Sequence, residues 1–401
     1  MMSATVAIQT ASAQRPDPMG DDDHTISEEH RMKTRAAVVH EAGKPIEIEE
    51  LELARPGDGE VLIRYTHAGL CHSDVHIAHG DMQARLPMVL GHEGAGIIEE
   101  VGPGVTRVQV GDHVVCSFIP NCGTCRYCAS GQQSICDMGA NLLQGFLPGG
   151  HFPLSGPRGQ YGAMCMLGTF SQYGVIHQNS AVKVDDDLPL DKAVLVGCGV
   201  PTGWGAAVNT ANVRAGQTVA VYGVGGIGIN AVQGARYAGA KYVVAIDPLE
   251  NKREKAMELG ATHAFATAEE AQAAITELTR GQGADAAILT PGLMTAEIVT
   301  SGFNAVGKGG VVVLTALSRA LEQTIELPGA LMTTYRKTLK GSLFGDCNPT
   351  VDIPRILGLY QSGDLKLDEI ITRTYTLDQV QEGYDDLLAG KNIRGIVIHD
   401  H

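Results

Sequence analysis

Thr218-Val-Ala-Val-Tyr222 is an uninterrupted apolar run that leads straight into Gly223-Val-Gly225-Gly226-Ile227-Gly228. A buried strand feeding a glycine-rich turn that opens a helix belongs to a βαβ unit with a parallel sheet, and few other folds accommodate it. In that context Gly223 permits the tight turn, Gly225 lets backbone approach a phosphate, and Gly228 allows close packing of helix on strand. The helix start also presents unpaired N–H groups to an anion. Taken alone, the motif could be a glycine turn in any α/β protein. Asp247 changes that balance: it ends the next apolar run, Tyr242 to Ile246, about 20 residues on, where a carboxylate accepts hydrogen bonds from an adenosine ribose. Such a carboxylate repels a ribose 2′-phosphate, so NAD is expected over NADP, with Lys252 and Arg253 nearby as the counterweight.

From about residue 200 apolar runs alternate with helical segments. Strands are expected at 218–223, 242–247, 263–266, 286–290 and 310–316, with helices beginning near Gly226, Glu250, Ala268 and Leu293. The preceding part has a different rhythm. Short alternating runs (Arg35 to His40, Ile46 to Leu51, Glu60 to His67, Gly94 to Val101, Asp112 to Phe118) are separated by Gly, Pro and Asp, which suggests a small irregular β-barrel whose loops carry histidines and cysteines. The expected division is a disordered tail over 1–32, a catalytic domain over 33–200, a nucleotide domain over 201–343 and a return segment over 344–401 that packs on the first domain. A chain of 401 residues suits two such cores.

The net charge of −15 works against nucleic acid and anionic membrane surfaces as partners. The most apolar long window, Thr218 to Ala240, is interrupted by Tyr222, Asn230, Gln233 and Arg236 and does not look like a membrane span. The first residues lack the pattern of a secretory signal and contain the acidic run Asp21-Asp22-Asp23. Nine cysteines, an odd number, suit a reducing compartment better than a disulfide framework, so a cytoplasmic location is expected.

Four of those cysteines, Cys122, Cys125, Cys128 and Cys136, fall within fifteen residues, enough to close a tetrahedral structural zinc site. An iron–sulfur cluster and buried free thiols are the rivals; the cluster motif carries a proline after its fourth cysteine, where this chain has Asp137. Separate from the lobe lie Cys71 in Gly-Leu-Cys-His-Ser-Asp-Val-His, His92 in Gly-His-Glu-Gly, and Cys198 in Gly-Cys-Gly. Two thiolates and one imidazole leave a fourth zinc position open to water or substrate. Each residue alone has a plainer explanation as a core cysteine or a capping histidine.

Taken together, these motifs resemble the zinc-containing medium-chain alcohol dehydrogenases over nearly all of residues 33 to 398. The late Gly390-Lys391-Asn392-Ile393-Arg394 adds a fifth match. The resemblance implies an α/β fold: a Rossmann-type doubly wound parallel sheet plus a GroES-like β-barrel catalytic domain. It implies two zinc ions per subunit and NAD, a small alcohol or aldehyde as substrate, and assembly as a homodimer or homotetramer. By the same resemblance Cys71, His92 and Cys198 hold the catalytic zinc, with Glu93 as a neighbouring carboxylate or occasional ligand and Asp74 orienting His92. Ser73 takes the alcohol proton and His76 passes it towards solvent through the nicotinamide ribose. His72 and Arg394 meet the cofactor's pyrophosphate, Lys252 is a further cofactor-binding residue, Thr202 meets the nicotinamide, and Phe118 and Leu167 line the substrate pocket. The stretches Met164 to Phe170 and Val196 to Thr202 look most like actinobacterial members, some of which are nicotinoproteins that keep NAD(H) bound and use an external electron acceptor. The glutathione-dependent branch has an arginine four residues after the last lobe cysteine; Ala140 stands there instead. A non-catalytic zinc- and nucleotide-binding regulator is the remaining alternative, and it would be expected to lack a ligand or relay residue.

Overall fold

A computed structural model describes residues 31–319 and 324–401. The expected disordered tail thus lies outside the described residues, except at its end: Met32, assigned to the tail, is the first residue of a strand, Met32–Val39.

The nucleotide half contains a six-stranded sheet, all parallel, in the order His263–Phe265, Tyr242–Ile246, Thr218–Tyr222, Ala284–Leu289, Val306–Leu314, Thr338–Gly341. Chain direction across the sheet reverses between Thr218–Tyr222 and Ala284–Leu289. Open α/β sheets bind ligands at such a switch point, outside the carboxyl ends of the strands. The five expected strands are present; Thr338–Gly341 is a sixth, too short and too exposed to show an apolar run. Two helices start later than expected for local reasons. The turn at Gly223–Gly226 delays the first to Gly228. Thr295 caps the other, its hydroxyl accepting from the Ile298 N–H, so that helix runs Ala296–Ala305.

The first half holds a closed barrel of five short strands and a seven-stranded sheet. Strands at Leu154–Gly156, Gly159–Ala163, Tyr173–His177 and Ala181–Lys183 join those expected. The C-terminal strand Arg394–Ile398 is antiparallel to Glu60–Gly69 and parallel to Ile371–Tyr375, so the return segment completes the sheet of the first half. Among the described residues no helix is long and apolar enough to cross a membrane.

Candidate active site and metal centres

The three expected catalytic ligands sit where regular structure begins. Cys71 immediately precedes the helix His72–His79, His92 the strand Glu93–Val101, and Cys198 the helix Gly199–Gly205. Asp74 ties the first two together. Its Oδ2 accepts from the Cys71 N–H at 3.2 Å, closing the helix start, while its Oδ1 meets the Gly91 N–H at 3.0 Å and His92 Nδ1 at 3.2 Å. With Nδ1 engaged, His92 Nε2 is buried and has no hydrogen-bond partner.

The ligand atoms of Cys71, His92, Glu93 and Cys198 lie within 4.8 Å of one another, all buried. Its interaction with Cys198 holds the Cys71 thiol well below its ordinary range, and the same interaction with burial pushes Cys198 well above it. An orphaned imidazole nitrogen facing two such thiols is the arrangement a divalent metal with N and S ligands requires. Glu93 makes a buried ion pair with Arg394, and its other oxygen, Oε1, is unpartnered. Burial pushes Glu93 up to about 7 against the pull of Arg394.

The four-cysteine lobe passes a stricter test. Sulfur separations are 3.9 Å for Cys122–Cys128 and 3.9 Å for Cys125–Cys136. A tetrahedron with zinc–sulfur bonds of about 2.3 Å has edges of about 3.8 Å, whereas a disulfide needs about 2.05 Å. Backbone N–H groups of Cys125, Cys128 and Cys122 point at the sulfurs of Cys122, Cys125 and Cys136 at 3.2, 3.4 and 3.5 Å, as thiolate acceptors demand.

Beside the first metal group opens a cavity of about 450 Å³ whose lining includes Cys71, His72, Gly225, Asp247, Lys252 and Arg394. It occupies the switch point of the parallel sheet. Gly223 has φ +82°, and a Cβ on Gly228 would run into the carbonyl of Gly223, so the turn and the helix approach both require glycine. Gly226 and Ile227 also line the cavity. Asp247 holds the loop itself: its Oδ2 accepts from the Val224 N–H at 2.9 Å and its Oδ1 from the Leu249 N–H at 3.0 Å. Arg253 is committed to the carbonyls of Asp247 and Pro248, at 2.8 Å each, and is absent from the cavity lining.

Ser73 Oγ lies 3.7 Å from Cys71 Sγ. The Thr202 hydroxyl donates to the Cys198 carbonyl at 2.7 Å, one turn along the helix that Cys198 precedes. His76 is buried and bridges Asp81 and the Gly292 carbonyl. Phe118 packs edge-on to His92 with ring centroids 5.7 Å apart, and Phe344 packs edge-on to Phe118 at 5.3 Å. Leu167 is buried, and its carbonyl accepts from the Tyr65 hydroxyl. Neither Phe118 nor Leu167 lines the nucleotide cavity.

Phe344 and Asp81 were not foreseen from sequence. Phe344 follows a stretch without periodicity, and Asp81 acquires its neighbour through a chain reversal. Cys165 and Met166, at φ 53° and 61°, adopt left-handed conformations that no glycine announces.

Comparison with known proteins agrees with this geometry. Residues 57–186 match the alcohol dehydrogenase GroES-like domain, and residues 226–362 match the zinc-binding dehydrogenase domain. An NDMA-dependent alcohol dehydrogenase of Amycolatopsis methanolica is 61% identical over 92% of this chain and 99% of its own. Two solved structures superpose on 92% of the chain and all of their own length. One is an alcohol dehydrogenase zinc-binding domain protein of Burkholderia ambifaria (33% identity, TM-score 0.87), the other a benzyl alcohol dehydrogenase of Acinetobacter calcoaceticus (30%, 0.85). A full-length relative at this identity, together with the two domain matches, means that the chain belongs to the zinc-containing alcohol dehydrogenase family.

Proposed function

We propose that the protein oxidises a primary alcohol to an aldehyde, and reduces the aldehyde in the reverse direction, with Cys71, His92 and Cys198 holding the catalytic zinc and Glu93 beside it. The orphaned Nε2 of His92, in one buried group with the thiols of Cys71 and Cys198, carries this reading. Zinc at these ligands supplies Lewis acidity at the alcohol oxygen, and NAD accepts the hydride. Cys122, Cys125, Cys128 and Cys136 hold a second, structural zinc.

The chain's own contributions follow from its geometry. Asp74 fixes the His92 ring so that Nε2 points inward. Ser73, adjacent to Cys71, takes the alcohol proton, and His76 delivers it towards solvent. His72, Lys252 and Arg394 bring positive or donor groups to one wall of the cavity, suited to a pyrophosphate, while Asp247 faces the ribose and disfavours a 2′-phosphate. Thr202 sits beside the nicotinamide end. Phe118, backed by Phe344, and Leu167 form apolar walls that admit a medium or bulky alcohol, aromatic or terpenoid in class.

The division into 33–200, 201–343 and 344–401 is supported by the separate sheets and by the return of Arg394–Ile398 to the first. Assembly as a dimer or tetramer uses the edge of the parallel sheet, where Thr338–Gly341 and the exposed Leu331, Tyr335 and Leu343 lie close together in the chain; analytical ultracentrifugation tests it. A cytoplasmic location rests on nine cysteines, none in a disulfide.

A second reading keeps the same site but retains NAD(H) between turnovers and passes electrons to an external acceptor. The 61% identity to an NDMA-dependent relative favours including it. One experiment separates the two. The absorbance of exhaustively desalted protein is recorded, and alcohols are then added with and without free NAD. Retained reduced nicotinamide that turns over only with an artificial acceptor establishes the second reading; NADH formed from added NAD establishes the first. Absence of zinc and of any alcohol-dependent turnover refutes both.

A further inference from the structure

On the reading above, the alcohol's proton reaches His76. The structure shows what lies on the far side of that ring. His76 Nε2 is 3.0 Å from the Gly292 carbonyl, and Nδ1 is 3.1 Å from Oδ2 of Asp81. Carbonyl and carboxylate both only accept, so the two partners together match a ring that carries a proton on each nitrogen. This is the hydrogen-bonding pattern of the ring after a proton has arrived.

Asp81 reaches the ring because Gly80, at φ +83°, ends the helix His72–His79 in the left-handed region and turns the chain back. The Met82 N–H then bonds the His76 carbonyl at 3.1 Å. The Asp81 side chain is 24% exposed whereas that of His76 is 7% exposed, so the carboxylate stands between a buried imidazole and water. Its other oxygen, Oδ1, lies 3.3 Å from Arg319 Nε, on the segment after the strand Val306–Leu314. His72 is the further titratable group acting in this neighbourhood, from the same helix as His76. The hydrogen bond from His76, with the charge of Arg319, holds the Asp81 carboxyl below its ordinary range despite partial desolvation.

We propose that Asp81 is the positioning residue of the proton path: it keeps one proton of His76 on Nδ1, leaves Nε2 as the atom that accepts, and stabilises the ring when it is positively charged. The proposal rests on His76 being the proton's destination. In the step itself one proton arrives at Nε2 and Nε2 later releases one to water while Nδ1 keeps its own, so the ring returns to its starting state and no electron moves. The logic is that of a carboxylate that fixes the tautomer of a neighbouring histidine base and steadies its charged form.

The test uses the full-length, zinc-loaded enzyme and the variants Asp81→Asn, Asp81→Glu, Arg319→Gln and His76→Gln, each checked for zinc content and melting temperature. Asp81→Asn is expected to lower kcat about tenfold with little change in KM, and to move the inflection of kcat/KM to lower pH by about one unit, because the lost negative charge disfavours the protonated ring. Asp81→Glu restores most of the rate. Arg319→Gln, which removes a tie between the two halves but keeps the carboxylate beside His76, leaves the pH profile in place. A wild-type profile for Asp81→Asn, alongside an altered one for His76→Gln, overturns the proposal and leaves Asp81 a structural tie. So does a profile that moves equally with Arg319→Gln. If His76→Gln itself keeps the wild-type profile, the fault lies in the assignment of His76.

Discussion

Replacing Asp247 by alanine separates two roles that sequence alone merges. The carboxylate accepts from the Val224 N–H at 2.9 Å and from the Leu249 N–H at 3.0 Å. Val224 is wholly buried, so its N–H would lose its acceptor out of reach of bulk water. An orphaned buried donor costs about 1–3 kcal/mol, and about 1 kcal/mol moves the melting temperature by roughly 2–4 °C for a domain of 150–250 residues. Asp247→Ala is therefore expected to lower the melting temperature of the nucleotide-free protein by several degrees. Loss of charge-assisted bonds to a ribose costs a further ~1.5–3 kcal/mol, or about ten- to a hundredfold in NAD affinity, and narrows the preference over NADP. Differential scanning calorimetry and isothermal titration, both on protein stripped of nucleotide, measure the two effects. An unchanged melting temperature would show that the glycine loop does not depend on Asp247. Unchanged affinity for both nucleotides would show that the carboxylate does not face the ribose.

Cys198→Ala should remove the catalytic zinc and turnover together while the four-cysteine lobe keeps its metal, leaving one zinc per subunit by atomic absorption; normal oxidation rates in that protein refute the ligand set. Ser73→Ala should retain both metals and lose turnover by roughly a hundredfold, read from steady-state kinetics beside zinc content. Cys136→Ser should lose the lobe zinc and lower the melting temperature while freshly prepared enzyme stays active, because the lobe closes a loop and does no chemistry. His399 supplies the pH prediction. Burial pushes it from about 6.5 down to about 4, so the folded state holds the ring neutral where the unfolded chain would protonate it. Stability from this group is full above about 6.5 and drains away as pH falls to about 4. At about 1.36 kcal/mol per unit that is roughly 3 kcal/mol. His399→Gln should remove about that much of the acid sensitivity, measured as the difference in melting temperature from wild type at neutral and acid pH.

Much of the site was legible because its chemistry depends on residue types at fixed spacings. The four lobe cysteines are local in sequence, and the strand Thr218–Tyr222 with its glycines forms a complete local signal. Cys71, His92 and Cys198 are scattered, and only the joint resemblance linked them; the physical link is Asp74, which ties the segments carrying Cys71 and His92 through hydrogen bonds to both. Asp81 escaped notice because its partner depends on a single left-handed glycine. Phe344 escaped because its contact with Phe118 joins residues over two hundred positions apart. Arg253 was weighed as a counter to the NAD preference, yet its guanidinium caps backbone carbonyls. The strand Thr338–Gly341 lacks a buried face, so periodicity had nothing to register.

The placement of Arg394–Ile398 between Glu60–Gly69 and Ile371–Tyr375 has a consequence for biosynthesis. The parallel sheet is built from residues 218–341, a contiguous stretch, and can assemble as soon as that stretch has left the ribosome. The sheet of the first half cannot: its neighbour to Glu60–Gly69 is made more than three hundred residues later. Until then Leu70 lacks the Gly395 carbonyl that its N–H bonds at 3.0 Å, and Glu93 lacks the guanidinium of Arg394. During synthesis the sheet of the first half thus stays incomplete until the whole nucleotide half has been made and the last strand follows it.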